Sequence, residues 1–129
     1  MNNSVNKSII VTTLGTGTPI LNPKRASQSI LIEAAGYRLL FDTGRNVATR
    51  LAQANVPPAS VTHLFFTHFH SDHTIGFADF WLSSWLPAGG SRSKPLNVLG
   101  PEGTGSSVSY THLTLPTKAR CRSRWSPYH

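Results

Sequence analysis

At 129 residues the chain has the length of one domain, and 39% hydrophobic with 9% aromatic residues fits a globular class. No apolar run approaches the roughly 18 residues of a membrane span, and Met1-Asn2-Asn3-Ser4-Val5-Asn6-Lys7 lacks the apolar core of a secretory leader. A membrane protein is therefore excluded from the expectation, and a cytoplasmic location is expected.

The formal net charge of +7 by itself suggests an acidic partner such as nucleic acid. It is unevenly spread. Lys118, Arg120, Arg122 and Arg124 lie near the C-terminus, and no acid follows Glu102. Up to residue 106, eight Lys or Arg face five Asp or Glu, a net of +3. The single cysteine, Cys121, lies in the same tail. That tail contains Ser107-Val108-Ser109-Tyr110-Thr111-His112-Leu113-Thr114-Leu115-Pro116-Thr117 and closes on Cys121-Arg122-Ser123-Arg124-Trp125-Ser126-Pro127-Tyr128-His129. The two blocks resemble, in order, the conceptual translation of the two ends of a transposon-based sequencing adapter, with Lys118-Ala119-Arg120 over its index. Residues 107–129 are therefore expected to be a non-native, disordered tail and are set aside from fold reasoning. Residues 1–106 are read as the N-terminal part of one domain.

In chain order, residues 8–14 are rich in β-branched side chains and predict a buried strand ending at Gly15. Gly15-Thr16-Gly17-Thr18-Pro19 forms a tight loop. Pro19 stands where a nucleotide-binding helix would open and the third glycine is absent, so the glycines serve close backbone approach. Residues 28–33 and 37–41 predict a β-hairpin. It stops at Asp42-Thr43-Gly44, where Asp42 either forms the turn or orients a metal-binding histidine from behind. Residues 46–54 predict a short helix capped by Asn46, with Val47, Leu51 and Ala54 on its inner face, ended by Pro57-Pro58. Residues 61–67 predict a strand covered on both faces at Leu64-Phe65-Phe66, with His63 a structural residue. Residues 74–86 predict a helix with Ile75, Ala78, Leu82, Trp85 and Leu86 inward. Its further aromatics, Phe77, Phe80 and Trp81, are core or the wall of a substrate pocket. A basic Gly/Ser-rich loop with Arg92 and Lys94 leads to a last strand from Leu96 to Leu99.

The concentrated chemistry lies in Thr67-His68-Phe69-His70-Ser71-Asp72-His73, which holds three of the chain's six histidines and one of its five acids. In an extended strand end, i and i+2 point to one side, so His68 and His70 can face one metal ion. Asp72 and His73, beyond the bend at Ser71, can face a second. Imidazole with an added carboxylate suits zinc in a site open to water, with iron or manganese as alternatives. Zinc lowers the pKa of its bound water to about 7, and two ions can share a hydroxide. No serine or cysteine nucleophile has a recognisable setting.

Here the sequence resembles the metallo-β-lactamase superfamily, whose signature is His-x-His-x-Asp-His, and within it the ribonuclease Z and arylsulfatase-like branches. The carrying segments are Leu14-Gly15-Thr16-Gly17-Thr18-Pro19, Leu40-Phe41-Asp42-Thr43-Gly44, Phe66-Thr67-His68-Phe69-His70-Ser71-Asp72-His73-Thr74-Ile75-Gly76 and Val98-Leu99-Gly100-Pro101-Glu102-Gly103. The resemblance implies an α/β fold, the truncated N-terminal half of a four-layer αββα sandwich. It implies two zinc ions, His68 and His70 on the first, Asp72 and His73 on the second, Asp42 in support and Asp72 as catalytic base. It further implies phosphodiester cleavage by a metal-bound hydroxide on RNA 3′ ends, or hydrolysis of a small ester. The full-length protein could form a homodimer. The remaining family ligands are expected downstream of the native text, and the only later histidines, His112 and His129, belong to the adapter-like tail. The 129-residue chain is therefore also expected to behave as an incomplete, non-catalytic metal-binding fragment. Asp42-Thr43-Gly44-Arg45 lacks the Cys-Gly-Glu common in ribonuclease Z, which weakens a transfer-RNA assignment. Resequencing the locus tests the tail: a reading frame continuing past Gly105 without the adapter codons is the expected result.

Overall fold

The computed structural model describes residues 8–111 and 120–123. Three β-branched or apolar runs become β1 (Ile9–Gly15), β2 (Ser29–Ala34) and β3 (Tyr37–Phe41), an antiparallel meander. Ala35 and Gly36, with φ of 50° and 81°, supply the left-handed pair that a two-residue hairpin turn requires. From β3 onward the sheet is parallel: β4 (His63–Phe65), β5 (Asn97–Gly100) and β6 (Arg120–Ser123) follow in spatial order. The crossovers carry α1 (Val47–Gln53), then α2 (Ser71–Thr74) and α3 (Phe77–Trp85), and α4 (Thr104–Thr111) follows β5. Parallel strands send all their carboxyl ends to one edge, where open α/β sheets collect their functional loops.

Strand register builds the core. Leu31 lies opposite Leu40, Leu40 opposite Leu64, and Leu64 opposite Val98, so four fully buried side chains cross one face of the sheet. Val47, Leu51, Phe80 and Trp81 cover that row from the helical layer. Each such burial contributes about 1.5–3 kcal/mol relative to exposure. On the other face, Phe41 and Phe65 stack at 4.8 Å, and Tyr37 meets His63 edge-on at 5.7 Å. This face is only half-buried at Phe41 and Phe65.

Several expectations are corrected here. β1 was expected to be buried, yet Ile9, Ile10 and Val11 are 69%, 52% and 59% exposed. β1 is an edge strand, and only its end at Leu14 reaches the core cluster that includes α1 residues Val47 and Leu51. The 61–67 strand shortens to β4 and alternates, with Leu64 and Phe66 buried but Phe65 half-buried, because helices pack on a single face. Asn46 occupies the N-cap position of α1 with φ 70° but makes no side-chain cap bond, and Ala48 rather than Ala54 turns inward.

The helix expected over 74–86 is broken and rotated. A Cβ at Gly76 would stand 2.2 Å from the Gly44 carbonyl oxygen, so the chain is pinned there and α3 restarts at Phe77. Phe77, Phe80, Trp81 and Ser84 then face inward, while Ile75, Leu82 and Leu86 are 57%, 50% and 60% exposed. Two apolar stripes were available, and the larger aromatic area took the core. Arg92, expected in a basic loop, is buried. Its Nη2 donates to the carbonyls of Pro58 (2.8 Å) and Val61 (3.1 Å), its Nε to Ser84 Oγ (3.2 Å), and its guanidinium lies over Trp81. Burial lowers this guanidinium to about 10.

Of the segment expected to be a disordered tail, α4 takes in Ser107 and the buried Val108, and β6 pairs with β5. An open strand edge offers its N–H and C=O groups to any extended segment, whatever that segment's origin. Residues 112–119 and 124–129, including His112 and His129, lie outside the described residues.

The helix phase is testable by urea denaturation. Trp81→Ala should cost about 3–5 kcal/mol as a core truncation, whereas Leu82→Ala should cost no more than about 1 kcal/mol as a surface change. The reverse order would place the other stripe inward.

Candidate metal centre

The motif begins where β4 leaves the sheet. Phe66 N–H still donates to the Leu99 carbonyl at 2.8 Å, and Thr67 is the first residue beyond that pairing. His68 and His70 follow, His70 in extended backbone, with their ring centroids 4.4 Å apart. Ser71 then starts α2, whose single turn brings the His73 ring to 4.1 Å from that of His68. Asp72 is 7% exposed, and its Oδ2 stands 3.5 Å from His73 Nε2. All four expected ligands thus come to one edge, and the three imidazoles form one group.

Asp42 holds this arrangement from below. It is 2% exposed with φ 61°, and its N–H donates to the Phe65 carbonyl at 2.8 Å. Of the two roles open in the sequence, its carboxylate is spent on the motif: Oδ1 accepts from Thr67 N–H at 2.8 Å, and Oδ2 accepts from Thr67 Oγ1 and lies against His73 Nδ1, both at 2.7 Å. A buried carboxylate without such donors would cost several kcal/mol. The adjoining backbone locks the same elements together. Thr43 N–H donates to the His73 carbonyl at 2.7 Å, and Gly76 N–H to the Thr43 carbonyl at 2.9 Å. A Cβ at Gly44 would meet the Asp72 carbonyl oxygen at 2.7 Å and the Ser27 carbonyl carbon at 2.5 Å, so glycine is the residue that lets these three loops touch.

The donor chemistry can be tested against a metal ion. With Nδ1–H committed to Asp42, His73 presents Nε2 toward Asp72 Oδ2 at 3.5 Å. Two ligand atoms bound tetrahedrally to zinc at roughly 2.1 Å stand about 3.4 Å apart. The Asp72–His73 pair therefore fits one edge of a coordination shell, and His68 with His70 supplies a second pair of the right type. Among the described residues, no group of three or more His, Cys, Asp or Glu is arranged to hold an ion. The fit is of two partial shells.

His63 lies at the start of β4, away from the motif, with Nδ1 3.0 Å from Thr62 Oγ1. A cavity of about 260 Å³ borders the motif and is lined by Phe66, Ile75, Phe77 and Val108 among others. Phe80 and Trp81 are in the core instead. A larger cavity of about 420 Å³ lies at the hairpin end, beside Glu33, Arg38 and Ser60, and holds none of the motif residues. Sequence reasoning passed over Thr67; the available signal was a hydroxyl directly before the first histidine of the motif.

Comparisons with known proteins bear on the fold that carries this edge. A family model described as anti-Pycsar protein Apyc1 matches residues 9–94. Ribonuclease Z of Mycobacterium marinum is 41% identical over 100 residues, which is 78% of this chain and 36% of the relative. The chain spans little more than a third of the length of the curated relatives it matches. Human tRNase Z, short form, superposes with a TM-score of 0.71 at 26% identity, covering 88% of this chain and 43% of that one. The Bacillus subtilis metallo-β-lactamase fold protein YhfI gives 0.71 at 20% identity, covering 94% and 48%, a likeness of fold alone. The expected fold, an N-terminal part of a metallo-β-lactamase sandwich, is the one found. Among the described residues no helix is long and apolar enough to cross a membrane.

If these residues take up zinc, Asp42→Asn should weaken that binding about 10–100-fold, the usual effect of losing a carboxylate behind a ligating histidine. Competition against a chromogenic chelator measures it, and undiminished affinity would remove Asp42 from the site.

Proposed function

We propose, for a chain that belongs to the anti-Pycsar protein Apyc1 family and carries the N-terminal part of a metallo-β-lactamase fold, the role of metal-binding half of a phosphodiester hydrolase acting on RNA. The observation that carries this reading is the convergence of His68, His70, Asp72 and His73 at the carboxyl edge of β4, backed by the buried Asp42. Relatives named ribonuclease Z at 41% identity support the choice of RNA over other esters. The family description and the names of the relatives differ, so the substrate class is the point that an assay must decide.

In this reading His68 and His70 hold one divalent ion, and Asp72 with His73 holds a second; zinc is the ion best suited to imidazole with carboxylate. Bound divalent ions lower the pKa of water and neutralise charge that develops on phosphoryl oxygens. The chain's own residues then have separate tasks. Asp42 fixes His73 by taking its Nδ1 proton into a hydrogen bond, so that Nε2 points outward. Asp72, through the carboxylate oxygen that does not face His73, is the group we assign to accept the proton of the attacking water. The substrate would be an RNA 3′ end cleaved endonucleolytically in the cytoplasm, by a protein that could act as a homodimer.

One observation favours a second reading for the 129-residue chain itself. The described residues hold pairs of ligands and no three-ligand group. That suits a metal-binding fragment without turnover. Metal analysis and activity on one preparation separate the two: the fragment reading expects fewer than two tightly held ions and no hydrolysis of bis(p-nitrophenyl) phosphate. Two retained ions with turnover would overthrow it. In an active preparation, transfer-RNA precursors should be cleaved in preference to an aryl sulfate. His68→Ala and Asp72→Ala should each lower that cleavage by at least about 100-fold, the lower end for loss of an acid–base group. Unchanged turnover in both would discard the mechanism.

A further inference from the structure

We infer that Thr67 is a positioning residue of the metal site: through its hydroxyl, the single carboxylate of Asp42 sets the tautomers of His68 and His73 together and leaves both Nε2 atoms for a cation. The inference rests on the metal-binding reading above but not on its substrate.

Thr67 Oγ1 stands 2.7 Å from Asp42 Oδ2 and 2.9 Å from His68 Nδ1. A hydroxyl has one proton to give and lone pairs to accept with. If that proton went to His68 Nδ1, Thr67 Oγ1 and the carboxylate oxygen would face each other at 2.7 Å with no proton between them. Donation to Asp42 removes that conflict. The remaining contact, at 2.9 Å, is then a hydrogen bond only if His68 Nδ1 carries the proton and the threonine oxygen accepts it. His68 becomes the Nδ1–H tautomer, with its lone pair on Nε2. His73 reaches the same state directly, because its Nδ1 donates to Asp42 Oδ2 at 2.7 Å. The tautomer of a ligating histidine is set by the bond its other nitrogen makes. A free neutral imidazole side chain prefers its proton on Nε2, so the Asp42–Thr67–His68 chain works against that preference. Thr67 is itself fixed by its N–H bond to Asp42 Oδ1 at 2.8 Å, so backbone and hydroxyl grip both oxygens of one carboxylate.

The test uses the 129-residue chain, metal-free and labelled with ¹⁵N in histidine, at about pH 8.5, where an unperturbed histidine is neutral. The wild type should show His68 and His73 as Nδ1–H tautomers. Thr67→Val, equal in shape but without a hydroxyl, should move His68 toward Nε2–H and leave His73 unchanged, whereas Thr67→Ser should behave as wild type. Zinc affinity measured by chelator competition should fall about 10–100-fold in the valine variant and by less than about threefold in the serine variant. An unaltered His68 tautomer in Thr67→Val, or equal losses in the two variants, overturns the assignment. Should the valine variant fail to fold, the wild type alone decides: His68 found as Nε2–H overturns the assignment, and Nδ1–H at His68 with retained zinc affinity in Thr67→Ser supports it. A chain with the expected tautomers but no phosphodiester cleavage would leave this assignment standing and match the fragment reading above.

Discussion

One buried carboxylate organises the site. Asp42 is 2% exposed, and a charge so placed persists only if its lone pairs are filled. The three polar groups that meet it come from the motif: Thr67 N–H, Thr67 Oγ1 and His73 Nδ1. Any shift of the motif relative to β3 would therefore leave a buried charge short of donors. The cost of that, more than any packing of the exposed His70 or Phe69, ties the loop after β4 to the end of β3.

The sheet makes the tie possible. Parallel pairing of β3 and β4, with Phe41 opposite Phe65, puts Asp42 and Phe66 at the same level and Thr67 one residue beyond. The Asp42 N–H to Phe65 carbonyl bond continues that pairing one step past β3, and φ 61° at Asp42 then turns the chain away. Glycines do the rest by closeness rather than flexibility. Gly44 and Gly76 stand where a methyl group would strike backbone, so the loops after β3 and after β4 meet at a distance only hydrogen allows. The backbone bonds of Thr43 with His73 and Gly76 follow from that approach.

The parts legible in sequence were those written in local chemistry. The hairpin declared itself through its apolar runs around Ala35-Gly36, and the loop at Gly15 and Gly17 through glycines that indeed abut the Ser27 and Ala26 carbonyls. Three histidines and an aspartate at fixed spacing after an apolar strand marked the loop that meets the end of β3. Illegible were the quantities set by partners distant in sequence. Whether β1 is covered depends on what packs over it, and β-branching cannot report that. The phase of α3 depended on Gly76 meeting Gly44, a contact 32 residues apart, while both apolar stripes looked equally helical. Arg92 read as a solvated loop charge because nothing local reveals that Trp81, Ser84 and two carbonyls surround it. Thr67 read as a strand residue because its role needs Asp42, 25 residues earlier.

Charge, more than the count of histidines, sets this edge apart. Asp42 and Asp72 are both buried, at 2% and 7% exposure. Neither has a Lys or Arg ion-pair partner among the described residues; the one such pair there joins Arg38 to Glu33. Asp42 is compensated by hydrogen bonds. Among the described residues Asp72 has no such donors, and the atom 3.5 Å from its Oδ2 is a nitrogen of the histidine ring that Asp42 holds from the far side. The Asp72 carboxylate and the Asp42 carboxylate thus flank the two nitrogens of one imidazole. The close backbone contacts at Gly44 and Gly76 accompany a 3.5 Å separation of Asp72 Oδ2 and His73 Nε2, the separation two ligands of one zinc ion would have. Two buried carboxylates set on either side of one imidazole, by contacts far apart in sequence, distinguish this edge from a histidine-rich surface turn.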